Sequence, residues 1–464
     1  MKRNILLVNP KTYRFSARFP YTGLFSIGTI LDKSGIDVEV ADCDFSDIDI
    51  FKKINETEPW LVGITFFSSN LNTSLKIAEF AKVKGSIVVA GGAHVSAAGK
   101  KILRYDCIDY AIKGEAEYSF LKLCQHLLSK ENLENVPGLI FKQRDTIVEN
   151  APKRIDDLDK LPFPEYELGN IKKTKVYPLI TSRGCPYKCI FCSEGNTKWK
   201  ARSPENIIEE IITAQKYYPE IFCIYDDNFA FDINRAKKFC RLILKNNLDI
   251  RWIVGSGIRA DKIDDDFADL LKRSGCETVF VAMESADKHV FRNLNKGETL
   301  ETIKKAVKIL KKKNLKVICY FIIGLPKSTY NTEMKSIEFV KKYDLDGAAY
   351  FMATPFYSTE LYSWVKKNAT LLKEPVDNKI LSRFSMDPNY ETKSFKKEDI
   401  KKAYAVCNLR AGNYRYELKN PLVLYSGLIY YSLRYDPVLL PIYLLESLKM
   451  YAKKGFNMIK KKIT

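Results

Sequence analysis

Short apolar runs and amphipathic stretches alternate along the first 130 residues. NILLVNP, DVEVAD, WLVGITFFSS and SIVVAGGAHVS read as strands; TGLFSIGTILDKSG, LNTSLKIAEFAKVKG and the end of DYAIKGEAEYSFLKLCQHLL read as helices. This order predicts a doubly wound parallel sheet, whose ligands sit beyond the carboxyl ends of its strands. By that rule Asn9, Asp42, Ser68, Gly91, Gly92, His94, Gly114 and Glu115 form a candidate lining. Gly91 and Gly92 either let the backbone approach a bulky ligand or make a tight turn. Residues 150–170, polar and Pro-containing, read as a linker.

Beyond it the alternation resumes. Strands at IFCIYDDNFA, IRWIVGSGIRAD, TVFVAMESA, KVICYFIIGLP and GAAYFMATPF are separated by helical patterns, one of which starts at Ser203 with Pro204 in its first position. Six β/α units predict a partial (β/α)6 barrel, with its chemistry at the carboxyl ends of the strands. The expected division is 1–145, a linker at 146–172, the barrel at 173–364 and a basic helical region at 365–464.

Composition narrows the class. The 464 residues are 46% hydrophobic and 28% charged, as in folded globular proteins. No apolar run reaches 18 residues, and MKRNILLVNP is too short in apolar residues for a signal-peptide core, so a cytoplasmic protein with reduced thiols is expected. The net charge of +19 asks for a partner.

The segment TSRGCPYKCIFCSEG, following the first barrel strand, places Cys185, Cys189 and Cys192 within eight positions. Structural zinc takes four closed ligands, whereas here a C-x3-C-x2-C set stands alone and the chain has three histidines in all, His94, His126 and His289. Three thiolates on a [4Fe–4S] cube leave one iron without a protein ligand, and an open iron is a binding site.

With these cysteines the chain resembles the radical S-adenosylmethionine (SAM) superfamily. YDDNFAFD, IRADKI, LLKRSGCETVFVAMES and the run from LNKGET to FIIGLP resemble the later segments of the subgroup carrying an N-terminal cobalamin-binding domain. GLFSIGTILDKSGIDVEVAD, VVAGGAHVS and IDDLDKLPFPEYEL resemble that Rossmann-like domain and its linker. This group includes enzymes like the magnesium-protoporphyrin monomethyl ester cyclases.

The resemblance implies a [4Fe–4S] cluster on Cys185, Cys189 and Cys192, SAM on its open iron, and cobalamin on the N-terminal domain. It implies SAM contacts at Glu284 and Ser285, although Ala282 and Ala286 replace the usual flanking glycines. Asp226, Asp227 and Asn228 either meet the methionyl ammonium or cap a helix; Ser256 and Arg259 either reach the ribose or carboxylate or simply end a strand. Gly324 and Pro326 match a G-x-P turn, after which Lys327 and Ser328 depart from the usual pattern. DCDFSD, after the second strand, has no histidine, so this loop is not expected to ligate cobalt.

Three functions are carried forward. The leading one is methyl transfer to an unactivated carbon, with a lipid or isoprenoid as the substrate and flavodoxin or ferredoxin as electron donor. The second is a ring-forming or oxidising reaction of the cyclase type. The third is RNA modification, but Cys43, Cys107 and Cys124 do not form the additional cluster pattern of the methylthiotransferases, so nucleic acid is not the expected partner. From Val365 onward 20 Lys and Arg face 9 Asp and Glu, and the final stretch mixes Leu- and Tyr-rich faces with a basic end. Such a region either docks peripherally on an anionic membrane or caps the barrel with a solvated tail.

Overall fold

The computed structural model describes residues 4–11, 19–129, 132–373 and 387–411, with isolated positions beyond. Strands β1 (Ile5–Asn9), β2 (Val38–Asp42), β3 (Leu61–Thr65), β4 (Ile87–Gly91) and β5 (Tyr110–Ile112) are parallel. An antiparallel hairpin, β6 (Leu139–Gln143) and β7 (Thr146–Glu149), extends the sheet to the order β2-β1-β3-β4-β5-β6-β7. The sheet therefore runs through Glu149, past the boundary read at 145. Its strands are apolar runs because both faces are covered: β1 and β3 are buried at every position. Helices α1 (Thr22–Lys33), α2 (Ile50–Thr57), α3 (Leu71–Val83), α4 (Ala93–Ala98) and α5 (Glu117–Ser129) connect them.

The second sheet contains β8 (Val176–Leu179) and, after the two-residue pieces β9 (Ser182–Arg183) and β10 (Lys200–Ala201), β11 (Ile221–Ile224), β12 (Trp252–Val254), β13 (Cys276–Glu284), β14 (Lys316–Ile323) and β15 (Gly347–Met352). Its order is β15-β14-β13-β12-β11-β8, and every pair is parallel. This is the progressive order of a partial barrel. Connecting helices are α6 (Pro204–Ala214), α7 (Ile233–Lys245), α8 (Asp265–Arg273), α9 (Lys288–Arg292), α10 (Leu300–Lys312) and α11 (Tyr330–Lys342), followed by α12 (Glu360–Asn368). Ser203 caps α6 by accepting from the Asn206 amide at 3.2 Å, with Pro204 in the first turn.

Helix α13 (Lys397–Ala411) packs on α11 and β15, so the open edge of the sheet is covered by the chain's own continuation. Its residues Ile400, Ala403, Tyr404 and Cys407 join the barrel core. The final Leu- and Tyr-rich stretch, 421–464, lies outside the described residues apart from isolated positions.

Tyr166, in the stretch read as a linker, joins the two sheets. Its fully buried ring lies 4.9 Å from Phe25 of α1, 5.4 Å from Tyr177 of β8 and 5.1 Å from Tyr217. The carboxyl-end loops of both sheets also meet. Phe19, between β1 and α1, lies 4.7 Å from Tyr225, which follows β11. Arg183, two residues before Cys185, pairs with Glu117 in the first turn of α5.

Candidate functional site

The cysteine loop leaves β8 and is folded by its own backbone. The Cys192 amide donates to the Cys189 carbonyl at 3.1 Å, the Asn196 amide to Tyr187 at 2.7 Å and the Thr197 amide to Cys185 at 2.9 Å. Gly184 opens the turn with φ +84°, and a Cβ there would lie 2.5 Å from the Lys198 carbonyl, so a side chain is excluded. The Gly184 amide donates to Asp227 at 2.6 Å, and Asn228 Nδ2 reaches Cys185 Sγ at 3.6 Å. All three cysteines are half-buried. No three His, Cys, Asp or Glu side chains among the described residues converge on a single-ion site. A cube makes no such demand, because each thiolate binds a different iron. The donor set therefore fits a cubane cluster better than one closed zinc. Burial pushes the Cys189 thiol up to about 12, opposed by the nearby Lys296 ammonium; displacement of that proton is part of what iron binding must supply.

Behind the loop lies a buried charge cluster. Glu284 ends β13 across a register shift, in the left-handed region at φ +62°. Lys296 holds it there: its Nζ donates to the Ala282 carbonyl, lies 3.1 Å from Glu284 Oε1 and 3.4 Å from Glu298 Oε2. Burial alone would lower the Lys296 pKa, but Glu284 and Glu298 outweigh it and raise it. Arg259 stacks 3.4 Å from the centre of the Tyr187 ring, donates to the Lys296 carbonyl at 2.8 Å and to Asp261 at 3.0 Å. Tyr187 lies in the cysteine loop, so Arg259 braces that loop against residues 296–298. Ser285 is buried beside Glu284 and accepts from the Asp287 amide at 3.2 Å.

Other sequence-selected residues have different neighbours. Asp226 is buried, accepting from the Thr181 amide at 2.6 Å and the Ser182 hydroxyl at 2.7 Å. Its carboxylate ties β11 to the segment before the cysteines, and the cap of α7 is Asp232 instead. Ser256 donates to the Asp226 carbonyl at 2.5 Å. Gly324 lies in a separate turn, its amide donating to Glu333 at 3.0 Å and its carbonyl accepting from Tyr390.

In the first sheet, Ser68 and His94 come together, Oγ to Nδ1 at 3.2 Å. Burial, with Arg104 adding to it, lowers the His94 pKa, so the ring is neutral near pH 7. Gly92 has φ +93°, and a Cβ there would lie 2.7 Å from Thr65 Oγ1; a Cβ at Gly91 would meet nothing within 4 Å. One glycine is thus required by the turn and its neighbour faces open space. Gly114, at φ +85°, donates its amide to Ser96 Oγ at 3.2 Å. Glu115 accepts from the Ile155 amide at 2.7 Å and from Arg154 at 3.2 Å, and lies 3.5 Å from Arg183. Sequence reasoning missed Arg183, Glu117, Lys296 and Glu298; the density of charge in LNKGET was the available signal for the last pair.

A model of the radical SAM superfamily matches residues 179–340, and a B12 binding domain matches residues 15–123. The chain is 33% identical to an uncharacterized methyltransferase, PH0819, of Pyrococcus horikoshii, over 88% of this chain and 92% of that one. It is 27% identical to the anaerobic magnesium-protoporphyrin IX monomethyl ester cyclase of Synechocystis, over 77% and 76%. The radical S-adenosylmethionine methyltransferase TsrM from Kitasatospora setae, solved with cobalamin and a [4Fe–4S] cluster, superposes with a TM-score of 0.67 at 19% identity, covering 81% of this chain and 84% of that one. With a cysteine loop at the carboxyl end of a partial barrel, a doubly wound domain beside it and these matches to both, the chain belongs to the B12-binding radical SAM enzymes.

Proposed function

We propose that this enzyme transfers a methyl group to an unactivated carbon, and that the carbon belongs to a lipid or isoprenoid. The observation that carries the reading is the meeting of the two sets of carboxyl-end loops, at Phe19 with Tyr225 and at Arg183 with Glu117, which brings the cysteine loop against the domain matched as B12-binding. When bound, the cluster supplies the electron that cleaves SAM, and cobalamin supplies the methyl group to be transferred.

The chain's own contribution is positioning and exclusion of water. Cys185, Cys189 and Cys192 hold the cluster, and Glu284 with Ser285 orients SAM beside it, held by Lys296. Ser68, Gly91, Gly92 and His94 line the cobalamin site, where a neutral His94 is held by Ser68. Asp226, Ser256, Arg259, Gly114 and Glu115 support these loops through the contacts above. The C-terminal region, basic by sequence, brings the enzyme to an anionic membrane surface where such a substrate resides. No described helix is long and apolar enough to cross a membrane.

Anaerobically reconstituted enzyme should bind cobalamin and show a cluster spectrum that changes on adding SAM, and Cys189→Ala should abolish the cluster. Extracts of cells with and without the protein should differ by a lipid heavier by one methylene. A cluster intact in Cys189→Ala overturns the cluster assignment. The 27% likeness to a cyclase supports a ring-forming reaction as the second reading, and a product lighter by two hydrogens, without the added methylene, would favour it.

A further inference from the structure

The inward faces of the barrel strands take no part in the contacts described so far. Along β13, Val279 and Val281 are buried while Phe280 and Ala282 between and beyond them are half-buried. On β14, Cys319 and Phe321 are buried while Tyr320 and Ile322 are half-buried; on β15, Tyr350 is buried and Phe351 is half-buried. The period of two means that one face packs on the helices and the other borders a space.

Between its ends that second face is aromatic and carries no charge. Phe280 and Tyr320 have ring centres 5.2 Å apart, and Tyr320 and Phe351 are 5.4 Å apart, edge to face, so three adjacent strands present one continuous wall. The Tyr320 hydroxyl donates to the Gly255 carbonyl at 2.7 Å, which satisfies it and leaves the ring as its contribution. The charged residues of these strands lie at their ends: Glu277 and Lys316 at the amino ends, and Glu284, paired with Lys296, at the carboxyl end. A charged group entering beside these rings would lose its water and find no charge on Phe280, Tyr320 or Phe351 to replace it, whereas an apolar one would gain by burial.

We propose that this lumen receives a neutral, apolar segment of the substrate, with Phe280, Tyr320 and Phe351 as the specificity-determining wall, and that any charged group of the substrate stays outside the strand ends. The proposal deepens the methyl-transfer reading by naming the residues that select an apolar substrate, and it rests on that reading's placing the reaction at the carboxyl ends of the strands.

The test uses the reconstituted holoenzyme and a neutral fluorescent probe, N-phenyl-1-naphthylamine. The wild type should bind it with bright, blue-shifted emission. Phe280→Glu and Phe351→Glu should each weaken binding by about tenfold or more, while Phe351→Leu stays close to wild type. Phe351→Asn, which buries no charge, gives the same reading should the glutamate variants fail to fold. Farnesol should displace the probe, and cytidine monophosphate should not. Absence of binding, equal binding in folded variants that carry the polar substitutions, or displacement by the nucleotide would each overturn the proposal. Normal probe binding by a protein that takes up neither cobalamin nor SAM would defeat the methyl-transfer reading alone; loss of probe binding in an enzyme that takes up both would defeat this one alone.

Discussion

Arg183 Nη2 lies 2.5 Å from the carboxylate of Glu117, and only Gly184 separates Arg183 from Cys185. The same guanidinium lies 3.5 Å from Glu115, which also holds Arg154 of the connecting segment. The spacing between the cysteine loop and the first turn of α5 is therefore set by a largely buried ion-pair group, in which every charge has a partner.

Removing the cation should cost more than the pair itself contributes, because Glu117, whose side chain is 7% exposed, is left without it. Arg183→Ala should lower stability by about 3 kcal/mol. Adding Glu117→Gln should recover part of that loss. A double-mutant cycle on thermal melting checks it: strictly additive changes would show that the two side chains do not act as a pair.

Lys296 offers a separation of stability from binding. Lys296→Met takes from Glu284 and Glu298 the buried cation they share and releases Glu284 from its left-handed conformation. The variant should melt lower, and Lys296→Met with Glu298→Gln should melt higher than the single variant. Both should still load iron, yet need about tenfold more SAM to change the electron paramagnetic resonance of the reduced cluster. An unchanged SAM requirement in both would remove Lys296 from the positioning of Glu284.

Much of this was legible in the order of residues, and the reason is burial. Strands covered on both faces, such as β1 and β3, have to be continuous apolar runs, so both parallel sheets stood out against their amphipathic helices. The cysteine spacing was legible because all three donors lie on one loop. The hairpin β6–β7 was not, since β7 is only partly buried and its turn at Arg144, with φ +52°, resembles a linker. The partners of Asp226 were hidden as well. Nothing in DDNFAFD tells whether its carboxylate faces a ligand or Thr181 and Ser182, 45 and 44 residues earlier. Lys296 stands out locally only as part of the charge in LNKGET, and its contact with Glu284 exists only after β13 bends.

Glu333 should give the barrel a pH dependence. Burial pushes its carboxyl up to about 7, with no cation paired to it among the described residues, while it accepts from the Gly324 amide. Between the ordinary carboxylate range and pH 7 the unfolded chain releases this proton and the folded chain keeps it. Stability should therefore fall as pH rises through that window, by about 3 kcal/mol in all, and level off above it. Glu333→Gln keeps an acceptor for Gly324 and has no proton to lose. It should equal the wild type near pH 5 and melt higher at pH 8; parallel melting curves from pH 5 to 8 would show that Glu333 is not the group responsible.

The basic C-terminal region should carry membrane attachment. From Val365 onward Lys and Arg exceed Asp and Glu by 20 to 9, and residues 421–464 add Leu- and Tyr-rich stretches to a basic end. Each basic residue near an anionic surface contributes on the order of 1 kcal/mol, so several together suffice for reversible docking that weakens with salt. An RNA partner would be salt-sensitive too, so salt alone does not separate the two. Sedimentation with anionic against neutral liposomes does, when the full chain is compared with one ending near Asn420. The full chain should sediment with anionic liposomes and the shortened one should stay in solution. Equal sedimentation of both, or none with either liposome, would leave a soluble apolar substrate as the better reading, because the aromatic wall at Phe280, Tyr320 and Phe351 requires an apolar segment and not a membrane.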